Sequence, residues 1–159
     1  MAIEIGQEAP GFTLPRAGGG EVSLADFRGV RNVVLFFFPQ AFSPFCTPQL
    51  RAVGANEARY SAEDAQVIGI SVDNHEPLRV FAEQLGLTDE ILLSDFEPKG
   101  AVAAAYGVYS PAPWGMAGRA VFVVDRNGIV RHRALTETPV EIPDEEPNFA
   151  ALAACNLGG

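Results

Sequence analysis

The sequence has only two cysteines, Cys46 and Cys155, set more than a hundred residues apart. That pair excludes a secreted disulfide framework and a zinc site. The two histidines, His75 and His132, stand at no metal-ligand spacing either; His75 reads as a helix-start residue and His132 as a strand side chain. Long apolar runs are also missing, and none approaches the ~18 residues of a membrane span. The opening Met1-Ala2-Ile3-Glu4-Ile5 has neither the basic region nor the apolar stretch of a signal peptide, so a cytoplasmic, reducing location is expected. Basic residues are scarce: 11 Lys and Arg face 20 Asp and Glu, a net charge of −9. Such a surface repels nucleic acid and anionic membranes, and neither is expected as a partner. The glycines Gly18–Gly20 lack the strand–loop–helix order and the Lys of a phosphate loop, and read as a hairpin turn.

What is present suits one domain of 159 residues with an ordinary apolar share of 48%, enough for a sizeable core. Residues 11–23 read as an N-terminal hairpin, followed by a helical turn at 24–27. Strand 31–38, a helix from about 44 to 62, strand 66–72 and helix 75–85 come next. The helix at 75–85 carries Leu78, Phe81, Ala82 and Leu85 at i, i+3, i+4 and i+7, with Gly86 just beyond. A short strand at 91–94, a helix at about 98–106 and a loop over 107–118 follow. Residues 119–125 and 129–135 form a hairpin about Arg126-Asn127-Gly128, and an acidic stretch leads to a last helix at about 148–156. The alternation predicts an α/β fold, a central mixed sheet flanked by helices.

The chain is organised around VVLFFFPQAFSPFCTPQLR, residues 33–51. Val33 to Phe38 read as a strand buried on both faces, and Pro39 stops it. Ser43-Pro44 then opens a helix, Ser as the N-cap and Pro at the first position. Cys46 falls in its first turn, where unpaired backbone N–H groups and the positive end of the helix dipole favour a thiolate. Ligands of open α/β sheets sit outside the carboxyl ends of the parallel strands, and strand 33–38 delivers Cys46 to that edge. If strand 119–125 runs antiparallel to it, Arg119 starts on the same edge, although 73 residues later in the chain.

Pro39, Ser43 and Cys46 form Pro-x-x-x-Ser-x-x-Cys, and Arg119 opens RAVFVVDRNG. With the strand before it, this set resembles the peroxiredoxins, whose signature is Pro-x-x-x-Thr/Ser-x-x-Cys with a distant Arg. The resemblance covers almost the whole chain, from GQEAPGFTLP to VVDRNGIVRH, and GMAGRAVFVVDRNGIVR looks most like the one-cysteine alkyl hydroperoxide reductase E group. It implies a thioredoxin-like fold and a thiol-dependent reduction of hydrogen peroxide and alkyl hydroperoxides through a Cys46 sulfenic acid, with no metal or flavin. In that reading Arg119 and Ser43 position and polarise the peroxide and Pro39 shields the sulfur. The implied partners are a hydroperoxide, a thiol reductant such as a thioredoxin- or glutaredoxin-like protein, and a second copy in a homodimer. Two positions depart from the pattern: Ser43 stands where Thr is commoner, and Gln49 where Cys-x-x-Glu is common, which questions a carboxylate near Cys46.

Other readings compete with these. Cys155, in the last helix and three residues before the final glycine pair, is either a resolving cysteine or a plain core or surface thiol. Cys46 itself serves an enzyme or a peroxide-sensing relay that signals to a partner after one oxidation. A thiol–disulfide exchanger is disfavoured because Cys46-Thr47-Pro48-Gln49 has no second cysteine. Pro48 removes a helical hydrogen bond just after Cys46, so the turn is expected to unwind on oxidation. Phe42, Phe45, Tyr109 and Trp114 read as a dimer contact, an apolar collar for an organic peroxide, or core packing.

Overall fold

The computed structural model describes residues 2–87, 91–111, 115–138 and 140–157; Trp114 lies outside them. Strands β1 (Thr13–Pro15) and β2 (Glu21–Ser23) pair as the N-terminal hairpin, and a 3-10 turn spans Leu24–Phe27. Then come β3 (Asn32–Phe37), α1 (Cys46–Ala55), α2 (Glu57–Ala62), β4 (Ala65–Ser71), α3 (His75–Leu85), β5 (Ile91–Ser94) and α4 (Ala101–Ala105). The chain continues through β6 (Tyr109–Ser110), β7 (Met116–Ala117), β8 (Ala120–Val124), β9 (Val130–Leu135) and α5 (Glu146–Leu157).

The central sheet has the order β5-β4-β3-β8-β9. Strands β3, β4 and β5 run parallel, β8 runs against them, and β9, antiparallel to β8, returns to the direction of β3. This is the expected mixed sheet, with β3 at its centre. Every residue of β3 is buried. Val33, Leu35 and Phe37 face one apolar layer with Tyr106 and Phe122, while Val34 and Phe36 face another with Tyr60 and Phe149. The period-2 alternation of a strand thus serves two cores at once, which is why its sequence is apolar throughout.

Several boundaries differ from expectation. The helix over 44–62 is two helices: Asn56 (φ −100°, ψ 8°) leaves the helical range between α1 and α2. Gly54 and Asn56 are both poor helix residues, and they fall where the axis breaks. Helical geometry begins at Cys46 and not at Pro44, with Phe45 at the cap position. The expected helix at 98–106 is limited to Ala101–Ala105, and the loop over 107–118 contains the β6–β7 pair. α5 starts two residues early, because the Asp144 carboxylate accepts the Glu146 N–H. Arg119 stands just before β8 instead of within it.

Candidate active site

The register of β3 with β8 decides the site. Phe37 pairs with Ala120 in the antiparallel ladder, so the segment leaving β3 and the residue entering β8 share one edge of the sheet. Arg119 is held there by its own carbonyl, which accepts from the Thr136 N–H at 3.3 Å and the Thr136 hydroxyl at 3.0 Å. The end of β9 therefore clamps the start of β8.

From that point the Arg119 side chain reaches α1. Its Nη2 donates to Cys46 Sγ at 3.3 Å, and its Nη1 donates to Gln49 Oε1. All three residues are buried: Arg119 is 2% exposed, Gln49 3% and Cys46 0%. A guanidinium taken out of water costs several kcal/mol unless its donors are satisfied. Here a fixed charge is aimed at a sulfur, and burial makes its field stronger than it would be in water.

The turn before α1 shapes the other side. The Ser43 hydroxyl accepts from the Cys46 N–H at 3.0 Å, and the Ser43 carbonyl accepts from the Thr47 N–H at 3.1 Å. Ser43 thus performs the capping expected of it, although the regular helix starts three residues later; helix ends commonly shift by one or two residues between definitions. Pro39 is buried two residues past β3 and forms a wall of a cleft of about 570 Å³ with Gln40, Asp73, Asn74, Phe96 and Met116. The sulfur is packed among Phe38, Ala41, Leu50, Leu78, Phe81 and Leu92. Phe42 and Phe45 stand 48% and 43% exposed on the same turn, whereas Tyr109 is half-buried against the core layer of Tyr106.

Cys155 is elsewhere. It lines a cleft of about 350 Å³ with Asn32, Asp125, Arg126 and Arg131. Asn32 opens β3 and Asp125 follows β8, so that thiol sits at the opposite end of the sheet from Cys46. Burial pushes the Cys155 thiol above its ordinary value, which makes it a poorer nucleophile.

The sequence marked Gln49 as a departure from Cys-x-x-Glu, but its contact with Arg119 was not read from it. Its signal was its spacing: i+3 from Cys46 puts both side chains on one face of α1. It supplies the acceptor through its amide oxygen, without a carboxylate charge. Among the described residues no group of three or more His, Cys, Asp and Glu is placed to hold a metal ion.

The chain is similar to known proteins over most of its length. Residues 5–133 match the model of the AhpC/TSA family. The chain is 39% identical over 152 residues to alkyl hydroperoxide reductase E of Mycobacterium tuberculosis, covering 96% of this chain and 97% of that protein. It is 42% identical over 130 residues to a putative peroxiredoxin of the same species, covering 77% of this chain and 79% of the relative. Among solved structures, peroxidoxin BcpB from Mycobacterium tuberculosis superposes with a TM-score of 0.82 at 29% identity, over 98% of this chain and 97% of that one. The reduced 2-Cys peroxiredoxin of Plasmodium vivax, at 23% identity and a TM-score of 0.87 over 96% of this chain and 82% of that one, shares the fold. With its mixed sheet of thioredoxin-like order and its buried cysteine–arginine pair, the chain belongs to the AhpC/TSA, or peroxiredoxin, family.

Proposed function

We infer that the protein is a thiol-dependent peroxidase in which Cys46 is the nucleophile. The observation that carries the assignment is the Arg119 guanidinium donating to Cys46 Sγ at 3.3 Å inside the protein. The Cys46 thiolate attacks one peroxide oxygen in line with the O–O bond. That bond breaks, the other oxygen leaves as alkoxide or hydroxide and takes a proton, and sulfur is oxidised by two electrons to the sulfenic acid. One thiol then condenses with the sulfenic acid, releasing water and leaving a mixed disulfide. A second thiol displaces Cys46 and leaves as a disulfide with the first.

Arg119 stabilises the charge that develops on the peroxide oxygens. The Ser43 hydroxyl can donate to one oxygen and accept from the proton on the other. Pro39 excludes water from that side without adding a competing donor. Raising the thiolate fraction alone supplies only ~2 kcal/mol, whereas enzymes generally supply ~8 kcal/mol or more. Orientation of the peroxide and stabilisation of charge account for the remainder.

We place the protein in a one-cysteine cycle, since Cys155 lies at the far end of the sheet from Cys46, and we assign the reducing half to a thioredoxin- or glutaredoxin-like thiol. A cytoplasmic location belongs to the same proposal, because the cycle needs a pool of reduced thiol. Homodimer formation is proposed from Phe42 and Phe45, two exposed aromatic side chains on the active-site turn. Sedimentation tests this last point, a monomer at micromolar concentration being the contrary result. The central test is C46S: it abolishes peroxide consumption with excess thiol and leaves the circular dichroism spectrum unchanged. Activity near that of the parent chain would refute the mechanism.

A further inference from the structure

The turn that carries Pro39 and Ser43 is strained, and the strain has a visible anchor. Phe42 adopts φ 65°, a left-handed conformation that is unfavourable for a residue with a Cβ. Its ring packs on Phe81 at 5.0 Å, but a ring contact on one side does not set a backbone. One residue earlier the Ala41 N–H donates to Asp73 Oδ2 at 2.8 Å. The same carboxylate oxygen accepts the Ser71 hydroxyl at 2.6 Å. The Asp73 carbonyl in turn accepts the Ser94 hydroxyl at 2.6 Å. Ser71 and Ser94 are buried register partners at the ends of the parallel strands β4 and β5. Asp73 is thereby fixed to the rigid sheet on two sides and grips the turn on a third.

We propose that Asp73 is a positioning residue for the peroxide reaction: it holds Ala41 so that the turn from Pro39 to Ser43 keeps its place ahead of Cys46. The proposal rests on the peroxidase reading above. A carboxylate suits the task because a hydrogen bond to a charged acceptor is stronger than one to a neutral acceptor. An anchor built on strand ends is also more precise than one built on a loop. Asp73 lines the cleft beside Pro39 as well, so a displacement of the turn also changes the shape of that cleft.

The test follows two reactions of Cys46 in D73A, D73N and the parent chain. One is single-turnover oxidation by hydrogen peroxide; the other is alkylation by iodoacetamide, which needs a thiolate but no aligned O–O bond. The expected result is a fall of about tenfold or more in the D73A peroxide rate, with alkylation reduced by no more than about threefold. D73N keeps an oxygen where Oδ2 stands and recovers the peroxide rate to within about threefold of the parent. An unchanged peroxide rate in D73A overturns the proposal. So does an equal fall in both reactions, or a D73N variant as slow as D73A. Should D73A not fold, D73N carries the test through hydrogen exchange at the Ala41 amide. Protection and peroxide rate then rise or fall together, and lost protection with an unchanged rate overturns the role. A parent chain that consumes no peroxide with excess thiol defeats the peroxidase reading itself, whereas an active parent matched by D73A defeats only the role of Asp73.

Discussion

Arg119, Cys46 and Gln49 form a chain of contacts in which each member constrains the next. Arginine is needed for this geometry: a planar fork with fixed donors reaches a sulfur and an amide oxygen together, whereas a lysine presents one flexible ammonium. R119A is expected to slow sulfenic acid formation by on the order of 10²-fold, about 2.7 kcal/mol, comparable to removing one preorganised donor from an oxyanion site. Stopped-flow oxidation with hydrogen peroxide measures it, and a loss below about threefold would remove Arg119 from the reaction. Q49A removes the acceptor that orients the guanidinium. We expect about 1–3 kcal/mol of lost stability, the cost of a buried polar group left without its partner, together with a slower peroxide reaction. Urea unfolding measures the first and oxidation kinetics the second; a variant changed in neither respect would make Gln49 a bystander.

The first turn of α1 has to do two incompatible things. It must enclose the sulfur, which is 0% exposed, and it must later give a reductant access to it. Pro48 stands third in the helix, where its missing N–H removes the bond that would run back to the Pro44 carbonyl. The turn is therefore held more weakly than a helix start with all its donors. Hydrogen exchange over residues 43–50 is expected to be faster in the oxidised protein than in the reduced one, and equal protection in both forms would count against opening at this turn. A separate weakness, at the far end of α1, explains why a single helix over 44–62 did not form. Apolar spacing at Leu50, Val53 and Tyr60 promised continuity, but Gly54 and Asn56 removed the local preference that would have sustained it. Packing of Tyr60 on Phe149, with ring centroids 4.4 Å apart, sets the direction of α2 independently of α1.

Across the whole molecule the sheet acts as a spacer. Cys46 and Cys155 stand at opposite ends of β3, whose six residues span ~20 Å at ~3.3 Å each. A disulfide needs Cα atoms within ~7 Å, so oxidation with one equivalent of peroxide is expected to add one oxygen to the intact mass. A loss of two hydrogens in the monomer would show instead that the two thiols meet. The sheet also half-buries His132 in β9, with its Nε2 buried and lacking a hydrogen-bond partner among the described residues. Burial lowers its pKa from the ordinary value of 6.5, so the folded state resists protonation while the unfolded chain accepts it. Between the folded and unfolded values the unfolded state binds more protons, and stability falls as the pH drops below about 6.5. H132Q removes this contribution. The urea midpoint of the parent is expected to fall more than that of H132Q between pH 7.5 and pH 5.5, and parallel behaviour of the two would show that His132 is not the source.

The local chemistry was legible in the chain itself. A continuous apolar run, a proline that stops it, a Ser-Pro helix start and a cysteine in the following turn are each decided by neighbours within a few residues. Backbone sterics and hydrogen-bond supply act at that range. The strand–helix alternation also carried the mixed sheet, and the hairpin turn carried the antiparallel return of β8. What no local rule could decide was which side chains finally touch. Gln49 became the partner of Arg119, and Asp73 the anchor of Ala41, only when the register Phe37–Ala120 and the neighbouring of β3 with β4 brought distant segments to one edge. Those contacts depend on how strands pair and how far each side chain reaches, and both are settled by burial of the two apolar layers over the whole sheet.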